Sequence, residues 1–401
     1  MDPVSPTRRR LIAATAAGML ATRLPHCALA RDATPAPSDV DDGSLATMLA
    51  RAYDPTFVGR PGLTTLFTYA NIARQLEVRG LRTPDIAFAD NDRVSEWVDG
   101  IDGLYVDDVL LDRALQSELW DMVGFRPAEI TQTFTIGDPP QIAHIYRGAF
   151  DGENVRLALA SAGYEVVPTG NGLVLSISEE GKYSSDNPIQ RLVVAAFNNI
   201  AVVHDAYVIA SPYLVNVESA LAIFGGNRGT LANNGAVETL VSSVAEELVS
   251  ATILDGSILS TANKPDLGAL GASTSTPAQT IPPASHALFG LTAGSMPSRY
   301  TDADDPLHGD NDDTAPRSVF VVALHLGSEA EAVAAVPVIE GRLAIGQSAV
   351  TGEPYATFFG DWEVAAVPGT PVVKVRIGGE RVGRRWLRIV LSGDLVFVYT
   401  M

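Results

Sequence analysis

Apolar and polar positions follow two different periods along this chain, and the period changes at definable places. From residue 44 to 129 the spacing is helical. Ser44 opens a short helix with Leu45, Met48 and Leu49 on one side. Asn71 is placed to cap a helix over 72–79, with Gly80 just past its end. Leu111, Leu115, Leu119 and Met122 fall on one stripe, which predicts a helix over 108–123 that stops at Gly124. Residues 44–129 are therefore expected to be mainly helical.

At Ile130 alternation takes over. Residues 130–136 and 141–149 read as strands on either side of Gly137-Asp138-Pro139-Pro140. Asp151 is a strong N-cap, and Phe150 can staple onto Val155 in a helix that ends at Gly163. Hairpins are expected around Gly170-Asn171-Gly172 and at His204-Asp205. Val237, Leu240, Val241, Val244, Leu248 and Val249 keep helical spacing, which predicts one helix over 235–254. Residues 261–285 are rich in Ser, Thr, Ala, Pro and Gly and have no period, as in a linker or long loop.

The last third repeats this outline. Residues 318–326 form a strand, Ser328 with Glu331 forms a capping box, and hairpins follow over 362–377 and 388–399. The expected fold class is α+β. A helical N-terminal region precedes two related antiparallel-sheet-plus-helix units, 130–260 (closing on helices) and 286–401, of ferredoxin-like order.

The first 43 residues fit none of these periods. Arg8-Arg9-Arg10, a mildly apolar run over 11–24 and Ala28-Leu29-Ala30 make a charged region, an apolar region and a small-x-small cleavage site. Residues 1–30 are expected to be a signal peptide of twin-arginine type, and 31–43 a disordered linker. His26 argues against a lipid anchor at Cys27, because lipoprotein processing prefers a small residue there.

Composition narrows the function classes. Lys+Arg is 28 and Asp+Glu is 47, for a net charge of −19. Loss of residues 1–30 would remove four arginines and one aspartate and leave −22. Nucleic acid and anionic membrane both need clustered cations, so neither is an expected partner. Cys27 is the single cysteine, which excludes an internal disulfide and a cysteine zinc site. Past the signal, no apolar run is long enough for a transmembrane helix.

The run Gly124-Phe125-Arg126-Pro127, Gly137-Asp138-Pro139-Pro140 and Gly148-Ala149-Phe150-Asp151, with Val155, Leu159 and Gly163-Tyr164, resembles a group of uncharacterised exported bacterial proteins. In that group a G-x-F-D strand end leads into a helix ending in G-Y. The resemblance spans about 120–225. It implies an extracytoplasmic location and transfers no activity and no catalytic residue.

Candidate chemistry is sparse. There is no G-x-S-x-G elbow, P-loop or G-x-G-x-x-G after a strand. No two of His144, His204, His286, His308 and His325 have metal-ligand spacing. His144 shares a strand face with Ile142 and Tyr146. His204-Asp205 suits a hairpin turn. Asp302, Asp304, Asp310 and Asp312 belong to an acidic loop that either solubilises the chain or binds Ca²⁺. Arg381, Arg384 and Arg385, with Arg388, form the one basic cluster, which either binds an anionic ligand, pairs with the acidic loop or lines the solvent face of a strand.

The expected function is an exported, non-enzymatic binding or interaction module for a protein or small ligand, with no catalytic residues. The alternative is an exported hydrolase. That alternative requires His144, His204 or His325 within reach of both an acid and a Ser or Thr. A transporter's solute receptor fits least, because it needs doubly wound βαβ lobes.

Overall fold

A computed structural model describes residues 43–55, 64–81, 97–101, 103–114, 116–178, 180–244, 246–260, 280–294, 317–379 and 382–400. All belong to one compact unit, Gly43–Met401. Its strands are β1 (Thr65–Asn71), β2 (Ile130–Ile136), β3 (Ala143–Gly148), β4 (Glu165–Thr169), β5 (Gly172–Ser176) and β6 (Asn199–Val203). They continue with β7 (Tyr207–Ser211), β8 (Leu248–Asp255), β9 (His286–Thr292), β10 (Phe320–His325), β11 (Trp362–Ala366) and β12 (Val372–Ile377). The helices are α1 (Leu45–Leu49), α2 (Ile72–Val78), α3 (Asp108–Arg113), α4 (Ser117–Val123), α5 (Gly152–Ser161) and α6 (Pro188–Val193). They end with α7 (Leu214–Phe224), α8 (Gly235–Ser243), α9 (Glu329–Ile345), α10 (Tyr355–Phe359) and α11 (Val382–Ser392).

The twelve strands form one antiparallel sheet in the order β11-β12-β10-β9-β8-β1-β2-β3-β7-β6-β5-β4. The fold class is thus α+β. Successive residues of a strand point to opposite faces, and both faces are buried. On one face α2 to α6 and α9 to α11 pack against residues such as Ala70, Tyr146, Val208, Phe289 and Val322. On the other, α1, α7 and α8 cover Phe67, Tyr69, Ile145, Ile209 and Ile253.

Two five-strand runs have the same order. From the centre outward, β1-β2-β3-β7-β6 matches β8-β9-β10-β12-β11, and the runs meet where β1 pairs antiparallel with β8. The β4–β5 hairpin is an extra piece on the β6 edge. This is not the ferredoxin-like order expected from the sequence. The strands of both expected units join one sheet, and the expected helical region 44–129 supplies the central strand β1. The 362–377 hairpin is present as β11–β12. It corresponds in sheet position to β6–β7, because β12 pairs with β10 as β7 pairs with β3.

Three expected elements are corrected. The helix expected over 235–254 ends at Ser243, Val244 is extended, and β8 begins at Leu248. Both faces of β8 are covered, so apolar Leu248 and Val249 stand side by side at its start and satisfy helical spacing too. The helix expected over 108–123 is two short helices, α3 and α4. The hairpin expected over 388–399 is the end of α11 followed by a 3₁₀ turn at Val396–Val398. Val382, Trp386 and Ile389 make one buried helical stripe there.

Every piece of the G-x-F-D run has a packing role. A Cβ on Gly148 would meet the Glu129 carbonyl oxygen at 2.1 Å, so the strand passes only with glycine. Phe150 packs edge-on to Phe125 at 5.6 Å between ring centroids. The Asp151 carboxylate accepts the Glu153 and Asn154 amides and caps α5. The Tyr164 hydroxyl donates to the Phe197 carbonyl at 2.7 Å.

Candidate functional site

The centre of the sheet carries polar side chains where an apolar core would be expected. On the face covered by α2, Thr252 of β8, Thr68 of β1, Thr135 of β2 and His144 of β3 are successive direct partners across four strands. The neighbouring row on the same face runs Ser250, Ala70, Thr133 and Tyr146. All eight residues are buried. The hydroxyls of Thr68 and Thr135 bond each other at 2.5 Å. Ser250 and Thr252 donate to the carbonyls of Tyr69 and Phe67 at 3.1 and 3.3 Å.

The segment leading into α3 crosses over these rows. The Gly103 carbonyl accepts Trp386 Nε1–H of α11 at 2.7 Å. The Tyr105 amide donates to Ser250 Oγ at 2.7 Å. Asp107 is the N-cap of α3, its carboxylate accepting the Val109 amide at 2.7 Å. That carboxylate also accepts the Tyr146 hydroxyl at 3.2 Å and bonds His144 Nδ1. One side chain thus caps a helix, ties a strap to the sheet and orients an imidazole.

The electrostatics follow from that geometry. Burial alone would raise the Asp107 carboxyl. The charge and hydrogen bond of His144, with the Val109 N–H and the Tyr146 O–H, outweigh it and hold the group below its ordinary value. Asp107 is therefore ionised at neutral pH. Burial, then the adjacent Asp107 charge, pushes the Tyr146 hydroxyl well up, so it stays a donor. An ionised Asp107 accepts from Nδ1 of His144 and so places the ring hydrogen there, with Nε2 as the other nitrogen. The His144 side chain is 8% exposed. Among the described residues no hydrogen bond is made by His144 Nε2 or by the Thr133 hydroxyl.

Of the other histidines, His325 bonds Ser285 Oγ through Nδ1 at 2.8 Å. It lies directly across β9–β10 from His286. Burial lowers both imidazoles. His204 and Asp205 have φ of 53° and 54° and form the β6–β7 turn. The Asp205 carbonyl accepts the Phe150 amide at 2.9 Å, which is a structural task. No histidine among the described residues bonds both an acid and a hydroxyl. His144 has the acid and His325 has the hydroxyl.

Arg381 lies outside the described residues, as do the side chains of Arg384 and Arg385, whose backbone is part of α11 and not of a strand. Asp302, Asp304, Asp310 and Asp312 also lie outside them. Among the described residues no group of three or more His, Cys, Asp or Glu is placed to hold a metal ion. His144 was visible in the sequence as a strand residue sharing a face with Tyr146. Asp107 was not, because nothing local links it to a strand 37 residues away.

No family model matches the sequence, and no curated protein matches it. Three solved structures of TP0453 are similar at low identity. Crystal form III is 9% identical with a TM-score of 0.37, covering 88% of this chain and 99% of that one. Form IV is 10% identical with a TM-score of 0.39, covering 85% and 98%. Form I is 11% identical with a TM-score of 0.36, covering 86% and 98%.

Proposed function

We propose that this chain is an exported, extracytoplasmic ligand-binding protein that receives a small polar ligand at His144 Nε2 and Thr133 Oγ1, beneath the 103–107 strap. One observation carries the reading. Nδ1 of His144 is fixed by a buried carboxylate, while among the described residues neither Nε2 nor the hydroxyl of Thr133 on the adjacent strand takes a hydrogen bond. Buried polar groups cost stability relative to apolar packing, so a contiguous block of them at the centre of the sheet points to use. The twin-arginine pattern over 7–30 supports export. No helix among the described residues is long and apolar enough to cross a membrane.

The test is thermal melting of wild type and His144→Gln against a panel of small hydroxylated and carboxylated compounds. A ligand that binds only the folded state raises Tm by mass action. The reading predicts compounds that raise Tm of the wild type and not of the variant. A panel in which every shift is shared by both proteins contradicts it.

A second reading rests on the same Asp107–His144 pair. A carboxylate-oriented imidazole with a free Nε2 is also the geometry of a general base acting on water. Hydrolysis of chromogenic esters or peptides that disappears in His144→Gln would favour this reading over simple binding.

A further inference from the structure

A serine and a histidine meet in the other half of the sheet, away from His144. Four strands separate β10, which carries His325, from β3, which carries His144. Ser285 directly precedes β9 and is exposed, and its Oγ lies 2.8 Å from His325 Nδ1. The backbone seats the serine from both sides. Its amide donates to the His325 carbonyl at 2.9 Å, and its own carbonyl accepts the Gly256 amide at 2.9 Å. A Cβ on Gly256 would clash with the Ala284 carbonyl oxygen, so the approach on that side needs glycine.

The acceptor of the serine hydrogen is what sets this contact apart. Ser161, Ser211 and Ser219 give their hydroxyl hydrogens to carbonyl oxygens, which cannot take the proton up. A hydroxyl has a single hydrogen to give. Ser285 has two acceptors in reach, His325 Nδ1 at 2.8 Å and the His325 carbonyl at 3.3 Å, and the imidazole is the nearer. A neutral imidazole at hydrogen-bond distance can accept that proton and turn a weak nucleophile into an active one. Burial holds His325 below its ordinary 6.5, so it is neutral at pH 7. His286 lies directly across from it on β9, and Asp255 lies beyond on β8. Burial lowers His286 too, so the facing ring is also neutral and adds no positive charge. Among the described residues Nε2 of His325 makes no hydrogen bond that would hold the ring in the opposite tautomer.

We propose that Ser285 is a nucleophile, with His325 as its base, that takes an acyl group from small carboxylic esters. The bond from Oγ to the acyl carbon forms, and the bond from that carbon to the alkoxy oxygen breaks. The Oγ proton passes to His325 Nδ1 and from there to the departing alkoxide, which leaves as an alcohol. Water then attacks the acyl-serine and gives its proton to the same nitrogen. The carboxylic acid departs as that proton returns to Oγ, and the pair is restored. None of these steps draws on His144 or Thr133.

Two probes test this on the intact protein. A fluorophosphonate is attacked by an active serine, which displaces fluoride and keeps a stable phosphonyl group, and peptide mass spectrometry locates it. Wild type should carry the adduct on Ser285, formed faster as pH rises until His325 is fully neutral. Ser161 is also exposed but bonds a carbonyl, so it is the reference within the same digest and should stay unmodified. His325→Gln keeps the carbonyl contact, removes the base and should slow the adduct by ~100-fold, with a melting curve showing that the variant is folded. The second probe is p-nitrophenyl acetate, whose release of p-nitrophenol above the buffer rate should be lost in Ser285→Ala. An unmodified Ser285 overturns the proposal. So does modification of Ser161 or of His325→Gln at the same rate, or release undiminished in Ser285→Ala.

Discussion

Asp107 is the residue on which the account turns. It serves α3, the strap and His144 at once, and it is almost completely buried. Removing its carboxylate leaves the buried Tyr146 hydroxyl and His144 Nδ1 without an acceptor, at ~1–3 kcal/mol each. Asp107→Ala should therefore lower stability by about the sum of the two in urea unfolding. The pH dependence has a definite sign. The folded-state value of Asp107 lies below its ordinary 3.8, so its contribution is full above that pH and is lost as pH falls through the folded value. Acid unfolding of Asp107→Asn below about pH 4 should be shallower than that of wild type. At this scale the sequence was informative about caps. Asn71, Asp151 and Ser328 accept the backbone amides expected of them, and Gly124 takes the left-handed φ of 79° that ends α4. A cap needs only a few consecutive residues, so it can be read locally. The pairing of Asp107 with His144 needs the sheet register and cannot.

Among the elements, α11 and the 103–107 strap are coupled by one hydrogen bond, from Trp386 Nε1–H to the Gly103 carbonyl. Trp386→Phe keeps the ring in the core and removes that donor. A buried carbonyl left unmatched costs ~1–3 kcal/mol. The substitution should lower the urea midpoint correspondingly and, by loosening the strap, speed chemical modification of His144. Ser328→Ala removes the acceptor of the Glu331 amide at the start of α9 and should cost ~1 kcal/mol. The elements misread from the sequence share a cause. The end of α8 with β8, and α11 with its 3₁₀ turn, are apolar runs rich in branched residues. Helix and strand periods both fit such runs, and tertiary packing decides between them.

For the whole molecule, one continuous sheet with two covered faces predicts a single cooperative unfolding transition. Its alkaline limit can be read from the buried phenols. Burial raises Tyr146, Tyr164, Tyr355 and Tyr399 above their ordinary value of 10.0. Above that pH the unfolded chain releases protons the folded chain retains, so stability falls as pH rises. Tyrosine ionisation followed by absorbance should coincide with loss of helical circular dichroism. Exposed phenols such as Tyr183 ionise first, and complete ionisation of all eleven tyrosines before unfolding would contradict the burial of these four. The matched strand orders on either side of β1–β8 were legible only as a repeated outline, because pairing partners are set by long-range register.

The proposed function requires Nε2 of His144 to be within reach of a ligand. Diethyl pyrocarbonate acylates accessible imidazole nitrogens, and mass spectrometry locates the adduct. The account predicts that the folded protein is modified at His144, more slowly than at the exposed turn residue His204. It also predicts that a compound raising Tm through His144 suppresses the His144 adduct alone. Modification of His204 with His144 untouched until the protein unfolds would contradict it.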